Sequence, residues 1–155
     1  MKEKEKLLAY CGLYCGDCAG HSGEIAHAAR ILLNLLKKYK FKLTARHMFH
    51  EEIHDYDEFI DTLSFMANLI CPRICRLRDK SNCSIWACCR ERGFIACYQC
   101  NEFENCEKLQ SMEDLHGDSC QINLRSIRRL GLAEWIRKGK RHWFGSDIDG
   151  KPDKS

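Results

Sequence analysis

The sequence has no long apolar run. Its hydrophobic stretches are broken by charge or cysteine well short of the ~20 residues that a membrane-spanning helix needs, so no membrane partner is expected. Its first residues, Met1-Lys2-Glu3-Lys4-Glu5-Lys6, mix both signs of charge, and the apolar residues after them run straight into Cys11, Gly12 and Asp17. That pattern offers neither a secretory h-region nor a small-residue cleavage site. There is no glycine-rich phosphate loop, no internal repeat and little of the two-residue alternation that marks strands. No nucleophile stands with a recognisable orienting base, so the reading leans away from an enzyme. The net charge of +3 is too small to imply nucleic acid by itself.

What the chain has in excess is cysteine, twelve in 155 residues. In an exported protein such a count would suggest disulfides. Without an export signal the expectation is a reducing cytoplasm, with thiols available to metal. Length and a hydrophobic fraction of 45% suit one globular domain over residues 1–145, with 146–155 as a frayed tail. The fold class expected is mainly α: a small helical domain with cysteine-rich loops, held together by metal.

The first cluster reads Cys11-Gly12-Leu13-Tyr14-Cys15-Gly16-Asp17-Cys18. Three thiols in eight residues are more than packing requires, and glycines after the first two offer the positive φ that a tight turn around a metal-bound sulfur needs. The competing reading is a short buried turn with small apolar thiols.

Two strong helices follow. The first spans about 22–39, with Ser22 as N-cap, Glu24 in the first turn and an apolar stripe of Ile25, Ala28, Ala29, Leu32, Leu33 and Leu36. Residues 44–52 read as a short helix or irregular connector. The second strong helix spans about 54–70, with Tyr56, Phe59, Ile60, Leu63, Met66, Ala67 and Ile70 on one face. Its early Asp55, Asp57, Glu58 and Asp61 suit a solvated N-terminal turn better than acid–base work. His27 is read as structural. His50 and His54 have i, i+4 spacing but lack the partner pattern of a metalloprotease helix.

The second cysteine region holds Cys71, Cys75, Cys83, Cys88, Cys89, Cys97, Cys100 and Cys106. Residues 84–92 read as a short helix opened by Ser84 and closed by Gly93. On it Cys88 and Cys89 point about 100° apart, too far to share one ion. Cys97-Tyr98-Gln99-Cys100 has the knuckle spacing that can present two sulfurs to one tetrahedral metal. Its thioredoxin-like reading lacks the βαβ setting that chemistry needs. Cys120 stands alone and reads as a packed or exposed thiol. A helical segment over 122–138 breaks at Gly131, and its arginines and lysines, from Arg125 to Arg141, make it basic.

These residues resemble a family. Tyr10-Cys11-Gly12-Leu13-Tyr14-Cys15-Gly16-Asp17-Cys18, a following cysteine pair, and then Cys83, Cys88, Arg92-Gly93, Cys97, Cys100, Cys106 and Leu109 look like the cysteine-rich bacterial and archaeal family called domain of unknown function 3795. Asn123, Leu124, Arg125, Ile127, Arg128, Gly131, Leu132 and Trp135 are similar to the tail of its longer members. The resemblance covers about residues 7–143 and implies a small metal-binding protein without an established activity. It implies ten ligand thiols: Cys11, Cys15, Cys18, Cys71, Cys75, Cys83, Cys88, Cys97, Cys100 and Cys106. Cys71-x3-Cys75 replaces the family's closer pair. Cys18-Ala19-Gly20-His21 replaces its proline-containing motif, which makes His21 a further candidate ligand.

Zinc is the expected ion, because paired knuckles separated by loops are its usual pattern. The alternative is a [4Fe–4S] centre serving electron transfer or redox sensing. Cys11-x3-Cys15-x2-Cys18 has radical-SAM spacing, but the chain is too short for the barrel which that chemistry uses. Three functions therefore stand: a structural or regulatory zinc module, an iron–sulfur carrier or sensor, and a nucleic-acid binder using the basic C-terminal segment. For the first, Trp135 to Phe144 is the surface expected to meet a protein partner.

Overall fold

A computed structural model describes residues 2–71 and 74–144. The tail expected to fray, 146–155, lies outside the described residues. The fold is mainly α. Nine α-helices and five 3-10 turns occur among the described residues, with one isolated bridge between Leu8 and Tyr14 and no strand. Among the same residues no helix is long and apolar enough to cross a membrane. The chain divides into two compact units, one running from Cys18 to Pro72 and the other combining Met1–Asp17 with Arg73–Ser155.

The unit from Cys18 to Pro72 holds α1 (Ala19–Ser22), α2 (Glu24–Lys38), α3 (Phe41–Met48) and α4 (Tyr56–Ala67). Ser22 Oγ accepts from the Glu24 amide at 3.4 Å, while the N-cap position of α2 itself belongs to Gly23. The two long helices pack on each other through Ala29, Leu63 and Ala67, flanked by Leu33, Leu36 and Met66. The stripe is narrower than the periodicity suggests. Ile25 and Leu32 stay 39% and 41% exposed, because the contact line runs along the small Ala29. Alanines let two helix axes approach closely, and bulkier neighbours are then pushed to the flanks. Arg30 Nη1 donates to the Ala67 carbonyl at 2.7 Å and so satisfies one of the orphan acceptors at the end of α4. The Cys71 amide donates to the Gly20 carbonyl at 2.7 Å, which ties the two ends of this unit together. His50 and His54 lie in irregular backbone between α3 and α4, so their spacing does not place them on one helical face.

The other unit contains α5 (Ser84–Glu91), α6 (Glu107–Gln110), α7 (Glu113–His116), α8 (Ser119–Leu130) and α9 (Leu132–Lys138). The break between α8 and α9 falls at Gly131, at φ +78°. Cys83, rather than Ser84, is the N-cap of α5. Leu8, Tyr14, Ala96, Ile127 and Trp135 form one core cluster, with the Tyr14 and Trp135 rings edge-on at 6.0 Å. Trp135 is fully buried, which removes it from the surface that the sequence offers to a protein partner. Truncating such a side chain typically costs about 3–5 kcal/mol. Asn123 is also fully buried and holds the C-terminal segment from both sides: its Nδ2 donates to the His142 carbonyl at 2.8 Å and its Oδ1 accepts from the His142 amide at 2.9 Å.

The two glycines of the first cysteine loop serve different purposes. Gly12 has φ +96°, and a Cβ there would stand 2.8 Å from Leu124 Cγ and 3.1 Å from the Cys120 carbonyl oxygen. The loop lies directly on α8 at this point. Gly16 does not take positive φ; it is small because a Cβ would meet the Tyr14 ring at 2.4 Å. Gly12→Ala should therefore cost about 2 kcal/mol or more, combining backbone strain with overpacking. Gly93→Ala, at φ +67° with nothing within 4 Å, should cost only the ~1–2 kcal/mol of backbone strain. Urea unfolding of both variants measures the difference, and equal losses would show that α8 yields freely to the added methyl.

Candidate metal centre

None of the twelve cysteines is in a disulfide. Cys11, Cys89, Cys97 and Cys120 are buried in one hydrophobic cluster with Tyr10, Leu13, Ile85, Phe103, Leu109 and Leu124. Cys15, Cys75, Cys83, Cys100 and Cys106 pack against it, half-buried. Nine of the twelve thiols thus share one core. Backbone turns bring them there. Cys15 and Cys75 open 3-10 turns, Cys97 opens a third and Cys100 closes it, and Cys106 closes a fourth while starting α6. The Cys97 amide donates to the Tyr10 carbonyl at 2.9 Å and fastens the knuckle to the first loop.

One buried sulfur pair is not one the spacing suggests. Cys89 Sγ lies 3.5 Å from Cys97 Sγ in the buried interior. The pair divides its protons unevenly. The hydrogen bond from Cys97 draws Cys89 below the ordinary thiol range, assisted by the positive charge of Arg76, Arg92 and Lys108. The neighbouring Cys89 sulfur, together with burial, pushes Cys97 far up. Cys11 is pushed well up by the Cys120 sulfur and by burial, so Cys120 is not isolated but pairs with the first loop. Burial also pushes the Cys75 thiol up. Arg76 locks this region: its guanidinium lies 4.5 Å from the centre of the Tyr10 ring and donates to the Leu8 and Ile95 carbonyls. Cys89, Cys120 and Arg76 all escape the sequence reading. The adjacent Cys88–Cys89 pair on a helix is the one signal that could have pointed to Cys89.

Not every candidate thiol faces the core alone. Cys88, Cys100 and Cys106 line a surface pocket of about 620 Å³ together with Arg92 and Lys108. Arg92 Nη1 stands 3.7 Å from Cys100 Sγ. The knuckle is therefore split, with Cys97 turned to the interior and Cys100 to the pocket. Cys18 and Cys71 belong to the other unit and flank Gly20, where an added Cβ would lie 3.6 Å from Cys18 Sγ and 3.9 Å from Cys71 Cβ. His21 is exposed on α1.

A thiophilic ion suits this donor set in kind and in one spacing. Tetrahedral ligands at a zinc–sulfur distance of about 2.3 Å stand ~3.8 Å from each other, close to the Cys89–Cys97 separation. Beyond that pair, no three His, Cys, Asp or Glu side chains converge as a ligand set among the described residues.

The basic segment is largely committed to its own chain. Arg125 makes a bidentate pair with Glu104 and holds that carboxyl below its usual range. Arg128 donates to the Tyr98 and Cys100 carbonyls and lies over the Phe103 ring. Arg137 and Lys138 reach Glu134, and Arg141 pairs with Asp17. Among the described residues this leaves Arg129 and Lys140 for a polyanion. Each neutralised phosphate contributes a slope of about −0.9 to log K against log salt on duplex DNA. Titration at several salt concentrations should then give a slope no steeper than about −2, with very weak binding at physiological salt. A slope of about −5 would show that the paired arginines release their carboxylates for phosphate.

The family described as "Protein of unknown function (DUF3795)" matches residues 7–111, and the chain belongs to it. That span contains all ten candidate ligand thiols and ends before α7, so the similarity at Asn123–Trp135 falls outside it. No curated protein and no solved structure matches the chain.

Proposed function

We propose that this chain is a thiolate metal-binding module, with zinc as its ion, whose role is structural or regulatory rather than catalytic. The observation that carries this reading is the sharing of one core by nine thiols, two of them at 3.5 Å. A core of this kind is weak as a purely apolar core, because thiols are small and bury little area each. It becomes strong with metal: a structural zinc ion contributes roughly 10–16 kcal/mol to folding, against about 5–15 kcal/mol for the net stability of a whole domain. A closed four-sulfur zinc site has no open coordination position and cannot activate water. The module would then act by presenting a surface, and Phe144 and the half-buried Trp143 are the aromatic groups left near that surface at the chain's basic end.

Metal analysis of the purified chain tests the reading. The expected sample is colourless with one or two zinc ions per chain. A brown sample that absorbs near ~400 nm and bleaches on reduction would replace it with the iron–sulfur alternative. A sample without metal that takes up none from added zinc would overturn both.

Chelation provides the second check. Removing the ion should abolish amide-exchange protection over residues 74–106, whose turns are organised by thiols. The α2–α4 pair, which has its own core of Ala29, Leu63 and Ala67, should keep part of its protection. Equal protection of 74–106 with and without chelator would show that the turns hold without metal.

A further inference from the structure

We infer that the adjacent thiols Cys88 and Cys89 serve two separate metal sites on different sides of α5. Cys88 works with Cys100 and Cys106 at the surface pocket, and Cys89 works with Cys97 in the core. Each site would take a thiophilic divalent cation such as zinc. The inference rests on the metal-binding reading above and goes beyond it by stating which thiols belong together.

Helical geometry separates the two sulfurs first. Consecutive residues on an α-helix project about 100° apart, so one helix can present neighbours to two surroundings. The structure uses that freedom. Cys89 is 1% exposed and directed at Cys97, whereas Cys88 is half-buried and lines the pocket with Cys100 and Cys106. The knuckle divides in the same sense, Cys97 inward and Cys100 outward. The knuckle, whose spacing looks like one bidentate clamp, is instead split across the divide that separates Cys88 from Cys89. Phe103, 1% exposed in the core cluster, precedes Cys106 in the turn that carries this last thiol to the pocket.

The surroundings of each group suit a bound thiolate. The inner pair already has the separation of one edge of a tetrahedral site. At the pocket, Arg92 stands against Cys100 and Lys108 lies on the same wall. Their charge offsets the excess negative charge that accumulates when several thiolates surround one divalent ion. Glu102 and Glu107 also line the pocket and offer oxygen donors. The three pocket sulfurs do not yet meet at one point, so uptake of an ion would turn them about their Cα–Cβ bonds. Their half-buried position leaves room for that movement.

The test uses the full chain, zinc alone as the added ion, and elemental analysis as the readout. The unsubstituted chain should hold two zinc ions. Cys88→Ser and Cys89→Ser should each hold one, and the double variant none. A full complement in Cys89→Ser, or loss of one and the same ion in both single variants with no further loss in the double, would overturn the division and leave the metal-binding reading standing. A chain that binds no zinc at all would overturn both. Because Cys89 is buried and its replacement can unfold the chain, a second measurement is made on the unsubstituted, zinc-loaded protein. Graded chelation followed by thiol alkylation and peptide mapping should release Cys88, Cys100 and Cys106 together, and Cys89 with Cys97 in a separate step. Release of Cys88 and Cys89 in one step would overturn the inference.

Discussion

A core made of sulfur constrains everything around it. Cys11, Cys89, Cys97 and Cys120 come from four separate stretches of the chain and are packed among Leu124, Leu109 and Phe103. For them to meet, the first loop must lie directly on α8, and only glycine fits at position 12 where it does so. The knuckle must then be fastened to that loop, which the Cys97 amide achieves at the Tyr10 carbonyl. Arg76 must bridge the Leu8 and Ile95 carbonyls to keep the flanking strands of backbone in place. Each of these contacts is made by backbone or by a group with no freedom to be exchanged for a similar one.

Such a core assembles from residues distant in sequence, and loop closure opposes it. The chain lowers part of this cost through the inserted unit from Cys18 to Pro72. That unit has a core of its own, made by α2 and α4, and its two ends are tied by the bond between Cys71 and Gly20. With those ends joined, the long stretch between the first loop and Cys75 acts as a short connection. Chain entropy opposes long-range closure more than local contact, so joining these ends reduces the closure that the sulfur core requires.

The helices were legible in the sequence because hydrophobic period and punctuation are local signals. The spans near 22–39, 54–70 and 84–92 and the break at Gly131 all correspond to observed elements within a few residues. The narrowing of the α2 stripe was not legible, since it depends on how closely its partner approaches. The roles of Cys120 and Trp135 were hidden for a similar reason. A single cysteine can be packed or exposed, and an aromatic residue in a basic segment looks exposed, until the first loop is laid over α8 and Tyr14 meets the indole edge-on. The divergence of Cys88 from Cys89 could be read from helix geometry, but the sulfur facing Cys89 could not. The choice of Cys97 over Cys100 is made by a 3-10 turn whose orientation only the tertiary fold fixes.

Charge in the C-terminal segment follows the same logic of commitment. A row of arginines invites a polyanion when considered alone. Here Arg125, Arg137 and Arg141 each face a carboxylate, and Arg128 is spent on two carbonyls at the knuckle and on the Phe103 ring. Exposed pairs of this kind are worth only about 0–1 kcal/mol each, so they add little to stability. Their effect is positional. Arg128 holds the carbonyls of Tyr98 and Cys100 from α8, and Arg141 draws the segment after α9 to Asp17, in the first cysteine loop. The Glu104 carboxyl, held low by Arg125, keeps its charge down to acid pH, and that small contribution is lost only as pH falls through its lowered value. The basic residues thus brace the turns that carry the thiols, and most of their charge is engaged within the chain itself.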